Sequence, residues 1–313
     1  MTANLVRRWL DAGELNLPLP GSGRTGTRWW KLAALAENDI VAGRLAEAHV
    51  DAMAILAELD GPTAAADQLW GVWAAEAPQS VLTVREVDGR AVLDGSKAWC
   101  SGAGMCTHAL VTARREDNGR ALYAVDLSQV EVAPSTPSWH NVGMRDCDTR
   151  SVQFTGAVGV PVGRPGEYLT RPGFWHGAIG VAACWLGGAR GVAGPLYRAV
   201  ADEHEGEVGD VHAHAHLGAV DAALSAAEAM LVSAACYVDA EPTGDRAELI
   251  ARRVRAVVEH AVEEAVTRTG RALGPAPLVS DGKHAQRVAD LTVYVRQSHA
   301  ERDLAALGKA AAR

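Results

Sequence analysis

Residues 93–112 read LDGSKAWCSGAGMCTHALVT, and the rest of the chain is organised around this stretch. The pattern predicts a β-strand, a tight turn at Asp94-Gly95 and a second strand, because Asp-Gly pairs favour hairpin turns. A loop of small residues follows Trp99. We therefore expect this stretch to carry information on both fold and function.

Short β-type runs continue on both sides of this stretch, at residues 81–84, 91–93, 109–112, 121–125 and 151–154. They are separated by turn pairs such as Asp88-Gly89 and Asn118-Gly119, which predicts a compact antiparallel β domain over residues 69–163. Apolar periodicity predicts helices at 5–15 and 29–59 before it, and at 175–203, 211–238, 246–272 and 284–307 after it. The expected fold is α+β: a short N-terminal helical region (1–68), the β domain and a C-terminal four-helix bundle (164–313).

Composition narrows the classes of function. The chain has 313 residues and a formal net charge of -8, which disfavours nucleic acid as a partner because phosphate contacts need clustered Lys and Arg. The first 20 residues contain no apolar signal-peptide core, and we expect no later run of about 18 apolar residues that could span a membrane. Five cysteines without a CxxC pair indicate reduced thiols and a cytoplasmic protein rather than a disulfide or zinc framework.

A GxGxxG match occurs near the N-terminus, at Gly21, Gly23 and Gly26. A dinucleotide fingerprint follows a buried strand, but Pro18 and Pro20 occupy that position and remove amides that a central strand would donate. A loop near a cleft is therefore favoured over a nucleotide site.

Two ordered motifs carry a resemblance to a known family. The first is Leu93-Asp94-Gly95-x-Lys97-x-Trp99-x-Ser101-x-Ala103-Gly104, and the second is Gly143-Met144-Arg145-x-x-x-Thr149 with Val152-x-Phe154 and Val160-Pro161. Together they resemble the middle β domain of the FAD-dependent acyl-CoA dehydrogenase family. The likeness runs from about residue 70 to the C-terminus, and the N-terminal third is shorter than the helical domain of that family. The chain is identified as a shortened and divergent member.

The resemblance implies an FAD site. In the family, the Trp and the hydroxyl residue of this motif lie against the flavin ring, and here they are Trp99 and Ser101. A core Trp and a turn Ser are the structural alternative. The flavin loop of the family is represented only by residues 75–80, AEAPQS, without its glycines. Its diphosphate-binding motif is replaced by residues 204–209, HEGEVG, while Arg271 could still meet a phosphate.

The family's catalytic carboxylate is not cleanly present. Dehydrogenation needs a base that takes the α-proton of the substrate, yet residues 174–201 contain no Asp or Glu. At the family's other position for this carboxylate, the present sequence has Ser298 or His299. Glu301 follows shortly after. We predict His299 or Glu301 as the replacement base, and a surface helix with ion pairs is the alternative. The cluster His212, His214 and His216 predicts a structural or interface role rather than a metal site.

Three functions remain open. The first is an FAD-dependent dehydrogenase acting on the CH–CH bond of an acyl thioester or related carbonyl compound. The second is a flavin-dependent monooxygenase on the same fold, in which His299 assists proton transfer, and the third is a non-catalytic or partner-dependent subunit. The electron acceptor would be an electron-transfer flavoprotein or oxygen. The resemblance also implies a homodimer or homotetramer.

Overall fold

The structure is a computed structural model that describes residues 2–117, 119–202 and 210–312. Asn118 of one predicted turn and the stretch 204–209 lie outside the described residues. The chain divides into two compact units. The first comprises Met1–Leu17, Leu45–His140 and Arg145–Phe174, and the second comprises Pro18–Arg44, Asn141–Met144 and Trp175–Arg313.

The first unit contains a seven-stranded sheet. Its strands are β1 (Trp70–Trp73), β2 (Leu82–Val87), β3 (Arg90–Cys100), β4 (His108–Arg114), β5 (Arg120–Asp126), β6 (Val132–Pro134) and β7 (Arg150–Val162). Inward-facing apolar residues, among them Leu93, Val111 and Phe154, form its core. With the helices on either side in sequence, the α+β prediction is confirmed.

Strand pairing closes most of this sheet on itself. The order is β1-β4-β2-β3-β7-β5, β5 also pairs with β4, and β6 pairs with β7. The sheet differs from a purely antiparallel one, because β1 and β2 both run parallel to β4. They share one edge of β4, at Trp70↔His108 and Thr83↔Arg114. Parallel neighbours need crossover connections rather than hairpins, and turn-pair counting detects only hairpins.

The turn predicted at Asp94-Gly95 is wrong. Strand β3 passes through both residues, with a register shift between Leu93 and Asp94 against β7. Gly95 has φ +120°, and a Cβ at this position would lie 2.2 Å from the carbonyl oxygen of Val81. The glycine therefore permits a close backbone approach at a β-bulge. The turn predicted at Asp88-Gly89 is confirmed, since both residues have positive φ and join β2 to β3.

Helices fill the rest of the chain: α1 (Thr2–Asp11), α2 (Thr25–Asn38), α3 (Ile40–Glu58), α4 (Glu167–Thr170), α5 (Pro172–Ala201), α6 (Val211–Ala240), α7 (Ala247–Leu273), α8 (Ala276–Ser280), α9 (Gly282–Tyr294) and α10 (Glu301–Ala311). Short 3-10 helices occur at Arg145–Cys147 and Val295–Gln297. In the second unit, Gly187 of α5 lets the backbone approach Ala33 of α2, because a Cβ there would lie 1.9 Å from the Ala33 carbonyl oxygen.

Two helices predicted as continuous are each divided. The predicted helix 29–59 breaks at Asp39, whose backbone is extended and whose carboxylate accepts a hydrogen bond from the Ala42 amide at 2.8 Å. Such a cap satisfies an amide that has no partner within the new helix. The predicted helix 284–307 becomes α9, a 3-10 turn and α10, with Ala300 at φ +46° between them.

Helix α6 departs from the expectation that no segment is apolar enough to span a membrane. Among the described residues it is the one helix that passes this test by length and composition, with a mean hydropathy of 1.5 over its most apolar 18 residues. Its buried residues recur at three- and four-residue steps, including Val220, Leu224, Ala227 and Leu231. Packed core helices show the same composition, so the test by itself is weak evidence for a span.

Candidate functional site

Trp99 lies at the end of β3 in an unusual conformation. Its φ is +61°, and the residue is 61% exposed. The pairing of β3 with β7 shifts register between Lys97 and Cys100, so Trp99 lies in the bulge. A bulky residue with left-handed backbone is a genuine outlier that persists only where its surroundings enforce it. The residues on both sides of Trp99 show how it is enforced.

On the N-terminal side, the buried side chain of Lys97 anchors the strand. Its Nζ donates to the Oε1 atom of Glu76 at 3.0 Å, to the carbonyl oxygen of Thr112 at 2.9 Å and to the Thr112 hydroxyl at 2.7 Å. Burial lowers the pKa of Lys97 from its ordinary value, while the Glu76 carboxylate opposes that shift. The ammonium is thereby supplied with three acceptors, as a buried charge requires.

Glu76 belongs to the stretch 75–80, which the sequence resemblance matches to a flavin loop. Its carboxylate also lies 3.5 Å from Arg114 and 3.9 Å from Arg120. Burial by itself would raise the pKa of Glu76, but the hydrogen bond and charge of Lys97 and the charge of Arg120 outweigh it, so that pKa lies below its ordinary value. A turn follows, in which the Ser80 amide donates to the Ala77 carbonyl oxygen at 3.0 Å. The stretch is thus fixed by an ion-pair network and a turn instead of glycine amides.

On the C-terminal side, Ser101 joins the two sequence motifs. Its carbonyl oxygen accepts a hydrogen bond from the Trp73 indole at 3.0 Å, and its hydroxyl lies 3.2 Å from the Thr149 hydroxyl. The Gly102 amide donates to the Cys147 carbonyl oxygen at 2.8 Å. The serine and threonine, which lie 48 residues apart in sequence, therefore present adjacent hydroxyl groups.

The small-residue loop is held by Asp148. Its carboxylate accepts a hydrogen bond from the Gly104 amide at 2.8 Å and pairs with the Arg150 guanidinium at 2.5 Å. A side chain at Gly104 would collide with that carboxylate, since a Cβ would lie 2.6 Å from Oδ2. Cys100, next to Trp99, is fully buried, and burial raises the pKa of its thiol. An inert structural thiol is the consequence.

A second indole lies beside Trp99. Trp139 makes an edge-to-face contact with it, with ring centroids 6.5 Å apart and planes inclined by 88°. Sequence reasoning missed Trp139, because it lies in an irregular segment after β6 with no periodic pattern. Thr149 was part of the quoted motif but was given no role.

This part of the first unit has the groups that a flavin ring needs. The exposed Trp99 indole offers an aromatic surface for a planar ring, and the paired hydroxyls of Ser101 and Thr149 can donate to ring heteroatoms. The predicted phosphate contact, Arg271, is exposed in the last turn of α7 in the second unit. Its role stays a prediction.

The predicted base residues lie in the second unit, at the break before α10. The His299 amide donates to the Asp303 carboxylate at 3.1 Å, and the imidazole Nδ1 lies 3.6 Å from the other carboxylate oxygen. His299 precedes α10, so Asp303 reaches back to it across the first turn of the helix. Because Ala300 breaks the helix, Gln297 and Glu301 do not share a helical face. Glu301 is exposed, and the catalytic roles of His299 and Glu301 stay predictions.

Sequence reasoning missed a carboxylate beside this break. Glu259 of α7 accepts a hydrogen bond from the buried Ser298 hydroxyl at 2.5 Å, and its side chain is 13% exposed. Arg255, one turn earlier, donates to the Gln297 carbonyl oxygen at 3.4 Å. The contact joins residues 39 positions apart, so no local pattern could have shown it.

The GxGxxG segment forms a loop whose donors are already used. The amides of Gly23 and Thr25 and the Thr25 hydroxyl all donate to the carboxylate of Asp239 in α6. These donors are therefore used by an internal carboxylate, which agrees with the predicted loop and leaves them unavailable to a nucleotide phosphate. Asp210 caps α6 by accepting from the His212 amide. In the described residues, no group of three or more His, Cys, Asp or Glu side chains is arranged to hold a metal ion.

Known proteins that are similar to this chain share one fold. Residues 73–157 match the family model described as acyl-CoA dehydrogenase, middle domain. Butyryl-CoA dehydrogenase from Megasphaera elsdenii superposes with a TM-score of 0.77 and 17% identity, covering 90% of this chain and 81% of that one. No curated protein sequence matches the chain.

Two other solved structures have similar scores. TdsC from Paenibacillus sp. A11-2, in complex with FMN and indole, superposes with a TM-score of 0.79 and 19% identity over 98% of this chain and 88% of TdsC. Methanesulfinate monooxygenase MsuC from Pseudomonas fluorescens superposes with a TM-score of 0.81 and 19% identity over 97% and 88%. At these identities the likeness establishes the fold that all three share with this chain.

Proposed function

We propose that this protein, which has the acyl-CoA dehydrogenase fold and matches that family's middle domain, is a flavin-dependent oxidoreductase that reacts with oxygen. The flavin ring would lie against Trp99, with Ser101 and Thr149 donating to it. The observation that carries the proposal is the left-handed, exposed Trp99, which is held between the buried Lys97 and the anchored Ser101. Strain maintained at an exposed aromatic residue is typical of a ligand site.

The choice of oxygen chemistry rests on the missing base. Dehydrogenation of an acyl thioester needs a carboxylate that can reach the α-proton. Helix α5 has no acidic residue, and the other expected position holds the buried Ser298 and the exposed His299. A bound reduced flavin would supply electrons to oxygen and does not require that base. In this proposal His299 transfers protons. TdsC and MsuC, both described as monooxygenases, support oxygen chemistry on this fold.

Dehydrogenation of an acyl thioester is the second candidate, and Glu259 favours it. This carboxylate is mostly shielded from water and hydrogen-bonded to Ser298, so the second unit does contain a carboxylate next to the expected position. Glu301 remains the alternative base predicted from sequence. In this function an electron-transfer flavoprotein would take the electrons.

The form of the flavin is also part of the proposal. The resemblance implies FAD, with Arg271 at a phosphate, whereas TdsC is described with FMN. Both cofactors present the same ring to Trp99 and differ only beyond the first phosphate. We further propose a cytoplasmic homodimer or homotetramer acting on a small-molecule substrate, with residues 69–163 as the flavin-facing domain.

Absorbance and oxygen kinetics test the proposal. We expect the purified protein to bind FMN or FAD with a perturbed visible spectrum, and Trp99→Ala to weaken that binding. A matched control is Trp175→Ala, which removes an indole of the second unit that stacks on Arg252 at 4.8 Å. The reduced complex should consume oxygen in stopped-flow mixing. Anaerobic bleaching by acyl-CoA without added reductant would instead establish the dehydrogenase, and failure to bind either flavin would overturn both functions.

A further inference from the structure

We propose that Trp139 is a positioning residue, which fixes the plane of the Trp99 indole on which the flavin ring would stack. The inference rests on the proposed function. Its basis is the edge-to-face contact between the two indoles, with a centroid distance of 6.5 Å and an interplanar angle of 88°. This is one of the two arrangements that aromatic pairs prefer.

Trp99 needs such a support because its backbone and its side chain are held differently. Lys97 and Ser101 fix the backbone on either side through buried or partly buried hydrogen bonds. The residue is 61% exposed, so little protein packing restricts the torsion angles of its indole. An unrestrained side chain loses rotamer freedom when a ligand orders it, and this loss weakens binding. A contact that orders the indole beforehand removes that loss.

The sheet brings the two indoles together through β7. Val152 of β7 lies beside Lys97 on one edge and beside Pro134 of β6 on the other. Trp99 follows Lys97 by two residues, and Trp139 follows Pro134 by five. The segment after β6 is tied to β7 at its start, because the Ser135 amide donates to the Ser151 carbonyl oxygen at 2.8 Å. The same strand therefore sets the positions from which both indoles extend.

Fluorine NMR tests the positioning role without any flavin. Each of the nine tryptophans can be labelled as 5-fluorotryptophan, and Trp99→Phe identifies the Trp99 resonance. We expect Trp139→Ala to shift that resonance, because the ring current of the neighbouring indole is lost. Trp139→Phe should restore most of the environment, since a phenyl ring can also make the edge-to-face contact. Trp175→Ala should leave the Trp99 resonance unchanged.

Titration with FMN and with FAD then measures the consequence. We expect Trp139→Ala to raise the dissociation constant about two- to tenfold, as for the loss of one aromatic contact, and Trp139→Phe to recover most of the affinity. An unchanged Trp99 resonance in Trp139→Ala, or an unchanged dissociation constant while wild type binds normally, would overturn the positioning role alone. No binding of either flavin by wild type would overturn the proposed function together with it.

Discussion

Two short stretches of this protein each hold a non-glycine residue in a left-handed backbone conformation. One is residues 97–101 around Trp99 in the first unit, and the other is residues 298–303 around Ala300 in the second. At Trp99 the flanking contacts include a buried ammonium group with three acceptors. At Ala300 they are a serine hydroxyl and the exposed turn from His299 to Asp303.

The difference shows what each strained residue achieves. At Trp99 the bulge turns a large aromatic side chain outward. At an ordinary strand position, the alternation of side chains between the two faces would decide its direction. At Ala300 the side chain is only a methyl group, so the conformation serves to end one helix and start the next. We therefore expect changes at the first stretch to alter both stability and flavin binding. Changes at the second should alter stability alone, unless His299 has its predicted role.

Loss of the Lys97–Glu76 pair should have the largest effect. In Glu76→Gln the buried ammonium loses the carboxylate with which it pairs, and we expect a loss of about 2–3 kcal/mol in the free energy of unfolding. Breaking a fully buried pair costs about 3–5 kcal/mol, and this pair costs less because the Glu76 side chain is 24% exposed. Urea denaturation measures the loss. Glu86→Gln, which changes an exposed residue of β2, is the matched control.

Because of the same pair, the free energy of unfolding should fall at acid pH. The pKa of Glu76 in the folded protein lies below its ordinary value, so the unfolded chain takes up the proton first. The contribution of ionised Glu76 to the free energy of unfolding is present above about pH 4.3, the ordinary pKa of Glu. It is lost as the pH falls through the pKa that Glu76 has in the folded protein. The difference in unfolding free energy between wild type and Glu76→Gln should shrink below about pH 4. A constant difference down to the acid transition would contradict this assignment.

Substitution of Trp99 should separate backbone strain from ligand binding. Trp99→Gly and Trp99→Ala both remove the indole, but glycine adopts φ +61° without strain. We expect Trp99→Gly to be more stable than Trp99→Ala by about 1–2 kcal/mol, the cost of left-handed backbone for an L-residue. Both variants should bind flavin equally weakly. Thermal unfolding and flavin titration measure these two quantities, and equal stability would show that residue 99 relaxes once the indole is removed.

At the second stretch the expected change is smaller and opposite to that at ordinary helix positions. Ala300→Gly should stabilise the protein by about 1 kcal/mol, because Ala300 has φ +46° and ψ -118°, a region that glycine tolerates best. Ala305→Gly, at an exposed position inside α10, should destabilise it by about 1 kcal/mol. If both glycine substitutions destabilised the protein equally, residues 295–305 would be a continuous helix, as the sequence predicted.

These two stretches also show how far sequence could predict the molecule. Short β-type runs between turn pairs located most strands, whereas β1 and β6, of four and three residues, were missed. The break at Asp39 had a local signal, a capping residue. The break at Ala300 had none, since alanine is the best helix former and the kink depends on the contacts around it.

The candidate site was predictable only where a motif carried it. Trp99 and Ser101 stand in such a motif, so their proposed role could be stated from the sequence. The partners that hold them could not, because Glu76, Thr112 and Thr149 come from other strands and loops. Long-range pairing of this kind depends on sheet topology, which turn signals and periodicity do not specify.

The smallest expected effect concerns Asp303, which holds His299 at the break. In Asp303→Ala the His299 amide loses its acceptor, and we expect a cost of about 0.5–1 kcal/mol, the usual value of a partly exposed cap. Asp303→Asn should retain most of the stabilisation, since its side-chain amide oxygen can still accept the hydrogen bond. If His299 transfers protons, Asp303→Ala should also lower the rate of oxygen consumption, because the carboxylate that holds the imidazole, 3.6 Å away, is lost. A rate that is unchanged while stability falls would leave Asp303 a cap and remove the support for His299 as the proton-transfer group.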